Sequence, residues 1–161
     1  MDFLTLDLGD DIPGESTLEG FTGKIDLLSF SHGIALPMQF DPSSNGRTIG
    51  RSQHGDLSVS KQVDQSSPKL NLWCCQGKNI ATATLTASRV DGDAILPIHI
   101  ITLTNAIVSS VSVSGGSGSA PTENVTFNYT KIAWKYTAQK DENAQETQLE
   151  TIWDLTTSKS G

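Results

Sequence analysis

Apolar and polar residues alternate along most of this chain, and the alternation reads as strand. In Ala81-Thr82-Ala83-Thr84-Leu85-Thr86-Ala87-Ser88 small or apolar side chains alternate strictly with hydroxyls. A half-buried strand requires this, because successive side chains point to opposite faces. Asp91-Gly92 follows, then a β-branched run from Ile95 to Val113, so a hairpin turn at Asp91-Gly92 joins two strands. Apolar side chains are odd-numbered in Val125-Thr126-Phe127-Asn128-Tyr129 and even-numbered at Ile132, Trp134 and Tyr136. An inserted residue near Thr130-Lys131, a β-bulge, would return both sets to one face. Bulges bend and twist sheets, which favours a compact barrel over a flat sandwich.

One helix is predicted. Ser66-Ser67-Pro68 supplies an N-cap with Pro at the first helical position, and Gln76-Gly77 is a fitting stop, giving a short helix at roughly 67 to 76. Pro37 to Ser52, containing Asp41-Pro42-Ser43-Ser44-Asn45-Gly46, and Ser112 to Thr122, containing Gly115-Gly116-Ser117-Gly118-Ser119, read as loops. There is no internal repeat of solenoid or propeller length. The expected fold class is all-β, mainly antiparallel: a compact β-barrel with one short α-helix.

The 161 residues suit a single domain over 1–161 with one substantial core. The hydrophobic fraction is 36%, but it falls in alternating clusters, which argues for a globular chain and against a disordered one. Net charge is -7 and the basic residues are scattered singly, so no nucleic-acid partner is expected. Asp141, Glu142, Glu146, Glu150 and Asp154 crowd one stretch, read as a solvated surface. The segment from Met1 to Asp7 lacks a basic leader followed by an apolar core, and no apolar run reaches about 18 residues. Neither a cleavable signal peptide nor membrane insertion is expected. Adjacent Cys74 and Cys75 suit a reducing cytoplasm, since neighbouring side chains diverge too far for an ordinary disulfide.

The candidate chemistry is thin. His32, His54 and His99 match no metal-ligand spacing. No Gly-x-Ser-x-Gly elbow occurs among the many serines, and Gly115 to Ser119 lacks the Gly-Lys-Ser/Thr ending of a phosphate loop. Asn124-Val125-Thr126 and Asn128-Tyr129-Thr130 match glycosylation acceptors but read as strand, and the acidic sets Asp7, Asp10, Asp11, Glu15 and Asp91, Asp93 lack calcium-loop spacing. Trp73, Trp134 and Trp153 read as core or subunit-contact residues. No catalytic residue, metal or cofactor is expected, and the chain is not read as an enzyme. By these patterns alone it is a β-barrel binding or assembly module, and a monomeric barrel binding a ligand or glycan is the alternative.

Several segments resemble, in order, the haemolysin-coregulated protein (Hcp) family of type VI secretion. They are Gly14-Glu15-Ser16, Ile25 to Gly33, Val63-Asp64-Gln65-Ser66-Ser67-Pro68-Lys69-Leu70, and Ile101-Thr102-Leu103-Thr104-Asn105. Val108-Ser109-Ser110-Val111-Ser112, Gly115-Gly116-Ser117-Gly118 and Pro121-Thr122-Glu123-Asn124-Val125-Thr126 continue the series. The sequence departs from the family at His32, where aromatic residues are frequent, and over Asp41 to Gly50.

The resemblance implies a barrel whose copies form a hexameric ring. Rings would stack into the inner tube of a contractile injection machine, expelled with effector cargo. The implied partners are further rings of itself, a spike protein at the tube tip, the surrounding contractile sheath and separate effector proteins. The implied location is the bacterial cytoplasm, followed by secretion through the machinery itself. The chain ends at Gly161, so no C-terminal effector extension is expected. On that frame Leu28 and Phe30 share a core-directed face, and Ser29 and Ser31 are candidates to face the ring lumen, where small hydroxyls would admit varied cargo. The turn-rich segment from Asp41 through Ser43, Ser44, Asn45, Gly46 and Arg47 to Gly50 is the candidate ring-stacking loop. Arg47 and Arg51 would pair with carboxylates on the next ring.

Overall fold

The computed structural model describes residues 2–138 and 147–161. In chain order its strands are β1 (Phe3–Asp7), β2 (Ile25–Asp26), β3 (Ser29–Ser31), β4 (Ile34–Ala35), β5 (Met38–Asp41), β6 (Gly46–Ile49), β7 (Gln53–His54) and β8 (Leu57–Gln62). Helix α1 (Ser67–Gln76) follows, then β9 (Asn79–Asp91), β10 (Ala94–Ser114), β11 (Thr122–Asn128), β12 (Lys131–Ala138) and β13 (Thr147–Asp154). Asp141, Glu142 and Glu146 lie outside the described residues, while Glu150 and Asp154 belong to β13.

One antiparallel sheet runs β2-β1-β9-β10-β11-β8-β3, with β12 and β13 branching from β10. It does not close as a hydrogen-bonded barrel. The end strands β2 and β3 do not pair with each other; the chain itself joins them through Leu27-Leu28, whose amides donate to Leu4 O at 2.9 Å on β1 and to Ser60 O at 2.7 Å on β8. That crossing changes which side chains point inward. Leu27 is buried and Leu28 is exposed, so Leu28 does not share the core face with Phe30 as the alternation implied.

The hairpin at Asp91-Gly92 forms as expected, with Gly92 at φ 59. The phase change after Tyr129 is real, but no inserted residue accompanies it. Strands β11 and β12 follow one another along the same edge of β10, whose Thr104 pairs with Lys131 and Ile107 with Asn128. Asn105 opposite the break has φ 52, a left-handed conformation that Asn tolerates. Leu103 and Ala106, three apart, are therefore both buried, as are Ile80 and Ala83 on β9 and Tyr129 and Ile132 on the other side. Three strands change parity together and the sheet bends along one line with its register intact. The register shifts lie elsewhere on β10, between Pro97 and His99 and between Val108 and Ser110.

Helix α1 occupies the expected residues, packing Leu70 and Trp73 inward against β10. Gly77 is left-handed and its amide donates to Trp73 O, closing the helix. Ser66 holds the N-cap position without a side-chain cap bond, because its hydroxyl goes to Asp64. The loop expected over Pro37 to Ser52 is instead a two-stranded arm: β4 pairs β7 and β5 pairs β6, with the turn at Asp41 to Gly46.

Candidate functional site

Strands β3, β8, β11 and β10 lie side by side, and their registers align whole rows. Phe30, Val59, Val125 and Val111 are consecutive partners and turn toward the core. The rows on either side are Ser31-Ser58-Thr126-Ser110 and Ser29-Ser60-Asn124-Ser112, which share the opposite face. Ser29 and Ser31 are exposed there. Sequence reading found these two and missed the other six, because only the register shows that their alternations are in phase. The bulge at Ser109 gives Thr126 two partners: the Ser109 and Ser110 hydroxyls each lie 2.6 Å from its Oγ1, and Ser109 donates to Asp56 at 2.7 Å.

The arm, residues 34 to 54, leaves this sheet at β3. Met38 is opposite Ile49 and Phe40 is opposite Arg47, so these four share one face. Met38, Phe40 and Ile49 are 55%, 66% and 63% exposed, a large apolar commitment for one hairpin. At the tip Asp41 accepts from the Ser43 hydroxyl at 2.7 Å, the Ser43 amide at 2.9 Å and the Ser44 hydroxyl at 3.0 Å, which together hold its carboxyl below the usual range. Asn45 is left-handed at φ 53 and leads into Gly46. The two arginines differ: Arg51 at the base donates to the Ser158 hydroxyl at 3.1 Å, whereas Arg47 has no ion pair among the described residues.

The arm is clasped to the body at Tyr129. Its hydroxyl lies 2.6 Å from His32 Nε2 and 3.0 Å from His54 Nδ1, and it approaches Gly55 O at 3.4 Å. Burial, and for His32 also the neighbouring His54, push both imidazoles below their ordinary pKa. Burial and the nearby Asp56 charge raise the Tyr129 phenol. Two histidines that are twenty-two residues apart in sequence thus converge, whereas His99 lies apart on β10. The described residues contain no group of three or more His, Cys, Asp or Glu placed to hold a metal.

At the opposite end of β8 and β11 from Tyr129, a buried polar knot joins segments far apart in sequence. Lys61 Nζ donates to Glu123 Oε1 at 2.5 Å, to Asp64 at 2.9 Å and to Gln62 O at 2.9 Å. Ser67, first residue of α1, donates to the same Glu123 oxygen at 2.6 Å and accepts from the Asp64 amide at 3.0 Å. Gln65 reaches back to Gly14 O, and a Cβ on Gly14 would stand 2.3 Å from Lys24 O. The segments around Gly14, Val63 to Pro68 and Pro121 to Asn124 therefore meet in one place. Trp73 is buried with Lys78 Nζ 4.3 Å above its ring, and Trp134 and Trp153 pack partly buried against the core, so none offers an open aromatic platform.

The fold is thus a mostly antiparallel sheet with one helix, an exposed hydroxyl face and a projecting arm. The sequence profile of the family described as "Type VI secretion system effector, Hcp" matches residues 3–136. Protein hcp1 of Pseudomonas aeruginosa is 34% identical over 137 residues, 84% of each chain. A solved "type six secretion system protein" superposes with TM-score 0.90 at 27% identity over 99% of both chains. Hcp1 from Salmonella typhimurium superposes with TM-score 0.81 at 24% identity, over 99% of this chain and 98% of that one. The chain belongs to the Hcp family of type VI secretion proteins. No helix among the described residues is long and apolar enough to cross a membrane.

Proposed function

We propose that this protein is a subunit of the type VI secretion inner tube. Six copies close into a ring, rings stack, and effectors ride in the lumen until the tube is expelled. The ring number and the tube come from the family; the observation that carries the reading here is the arm. A hairpin that holds Met38, Phe40 and Ile49 out in solvent is costly for an isolated subunit and is accounted for when a neighbouring copy covers it. Asp41, Ser43, Ser44, Asn45, Gly46 and Arg47 form its outer end, so they are the stacking residues. Arg51, whose guanidinium donates to the Ser158 hydroxyl at the arm's base, is the second arginine of the stacking set, pairing with carboxylates on the next ring.

The two hydroxyl rows supply the complementary surface. Ser29 and Ser31 face the lumen together with Ser58, Ser60, Asn124 and Thr126, giving a wall of short polar side chains that meets many cargo surfaces and grips none tightly. Spike, sheath and separate effectors are the partners of the assembled tube, and the route out is the machinery itself, from the cytoplasm. Negative-stain imaging of the purified chain tests the reading: sixfold rings are expected, and featureless small particles at every concentration would overturn it.

A further inference from the structure

The arm is tied to the body by very few side chains. Among the described residues, two side-chain hydrogen bonds join residues 34–54 to the rest of the fold: Arg51 to the Ser158 hydroxyl and His54 to the Tyr129 hydroxyl. His32, just ahead of the arm, holds the same phenol at 2.6 Å from the outgoing strand. Ile34 pairs with His54, and the Gly55 amide donates to Gly33 O at 2.9 Å, so the two imidazoles flank the hinge by which the arm leaves the sheet.

The other charged groups of the arm keep their charge near neutrality. Arg47 and Arg51 stay protonated, and Asp41, held by Ser43 and Ser44, titrates below the usual carboxylate range. Among the described residues, the titratable groups facing the imidazoles are each other, Tyr129 between β11 and β12, and Asp56 between β7 and β8 near that phenol. Asp56 is itself engaged, accepting from Ser109 of β10 at 2.7 Å and from Asn128 of β11 at 3.0 Å. Burial and the Asp56 charge keep the phenol protonated, so no phenolate is present to neutralise an imidazolium.

One phenol proton shared between two imidazoles sets the order of events. In the neutral clasp Tyr129 donates to one ring and accepts from the other. A first added proton lets both rings donate to the phenol oxygen while its O–H turns to Gly55 O, 3.4 Å away. A second proton makes no new bond there and brings two cations to one oxygen in a half-buried place. Freeing the arm relieves this by returning both rings to water.

Resting on the tube reading above, we infer that the His32–Tyr129–His54 clasp is a proton-operated latch, whose double protonation frees the arm and takes stacked rings apart while each ring persists. Both rings regain ordinary values once freed, so opening takes up protons and is steep in pH, below about pH 6.5. Stacks that enter acidic surroundings come apart into open rings and give up their cargo.

The full-length chain carries its own reporter, because Met38 lies on the arm and Met1 is the only other methionine. With methyl-labelled methionine, the Met38 resonance is expected to move in one steep, reversible step between pH 7.5 and 5, with Met1 as the internal reference. A Met38 resonance that follows pH no more than Met1 does overturns the inference. Tyr129→Phe should place Met38 at its acid position already at pH 7.5, and His32→Gln with His54→Gln should abolish the step. Sedimentation reads the consequence: wild-type stacks should fall back to single rings over the same pH range, and the double glutamine variant should stay stacked. Loss of both stacks at the same pH would assign the effect to other groups and overturn the latch. If the chain forms no sixfold rings at pH 7.5 the tube reading fails, and the Met38 step still decides whether the clasp opens with protonation.

Discussion

Lys61 and Glu123 are cross-strand partners on β8 and β11, and their side chains share a 2.5 Å hydrogen bond with neither exposed to solvent. They lie on the core face, in phase with Val59 and Val125, where two charges are costly to desolvate unless each is held by further partners. Asp64 and Ser67 provide those partners and tie the start of α1 to the sheet. Glu123 Oε2 has no partner in this knot, so one carboxylate oxygen carries all of its bonds.

Glu123→Ala therefore strands a buried ammonium and should cost about 3–5 kcal/mol in urea unfolding. The double replacement Lys61→Met, Glu123→Leu should cost much less than the two single changes added together. Simple additivity would show that the two charges do not act as a pair.

The Tyr129 clasp makes the arm acid-sensitive. His32 and His54 both have folded-state pKa values below the ordinary 6.5, so the folded chain binds fewer protons than the unfolded one below that pH. Their contribution is complete above about pH 6.5 and is lost as pH falls through the depressed values. Amide exchange at residues 33–35 and 53–55, corrected for intrinsic rates, should rise between pH 7.5 and 5. The His32→Gln, His54→Gln variant should lose most of that slope, and an unchanged slope would assign the effect to other groups.

Deleting residues 43 to 48 removes the arm's outer end while leaving the His32–Tyr129–His54 base intact. Rings should persist by gel filtration, and tubes should fail to grow under the electron microscope. Full-length tubes from the deletion would remove the stacking role from this segment.

Ser31→Gln places a long side chain in the hydroxyl row Ser31-Ser58-Thr126-Ser110. It should leave the ring intact and weaken retention of a co-purifying effector several-fold in pull-down. Unchanged retention would move cargo contact away from this face, and Ser29→Gln then tests the neighbouring row.

The strands, the Asp91-Gly92 hairpin and α1 were legible because each follows from local periodicity or from capping residues. The sheet bend was only half legible: the change of parity after Tyr129 is written in the sequence, but it arises from a left-handed Asn105 on the partner strand, not from an extra residue. The arm was misread as loop because Pro37, Pro42 and Gly50 punctuate it, while Met38, Phe40 and Ile49 pair across it without any core to fix their alternation. Ser29 and Ser31 stood out within one short segment, but the rows they head depend on registers between strands whose paired residues are as many as 68 apart, as Ser58 and Thr126 are. The Tyr129 clasp had no local signal, since its three members become neighbours only when the arm folds back on the sheet.

The most direct measurement is the absolute mass of the purified chain by light scattering across a dilution series. The tube-subunit account predicts a plateau at six times the 17.2 kDa of one chain. A mass that stays at one chain at every concentration would contradict it and leave the arm without its proposed partner.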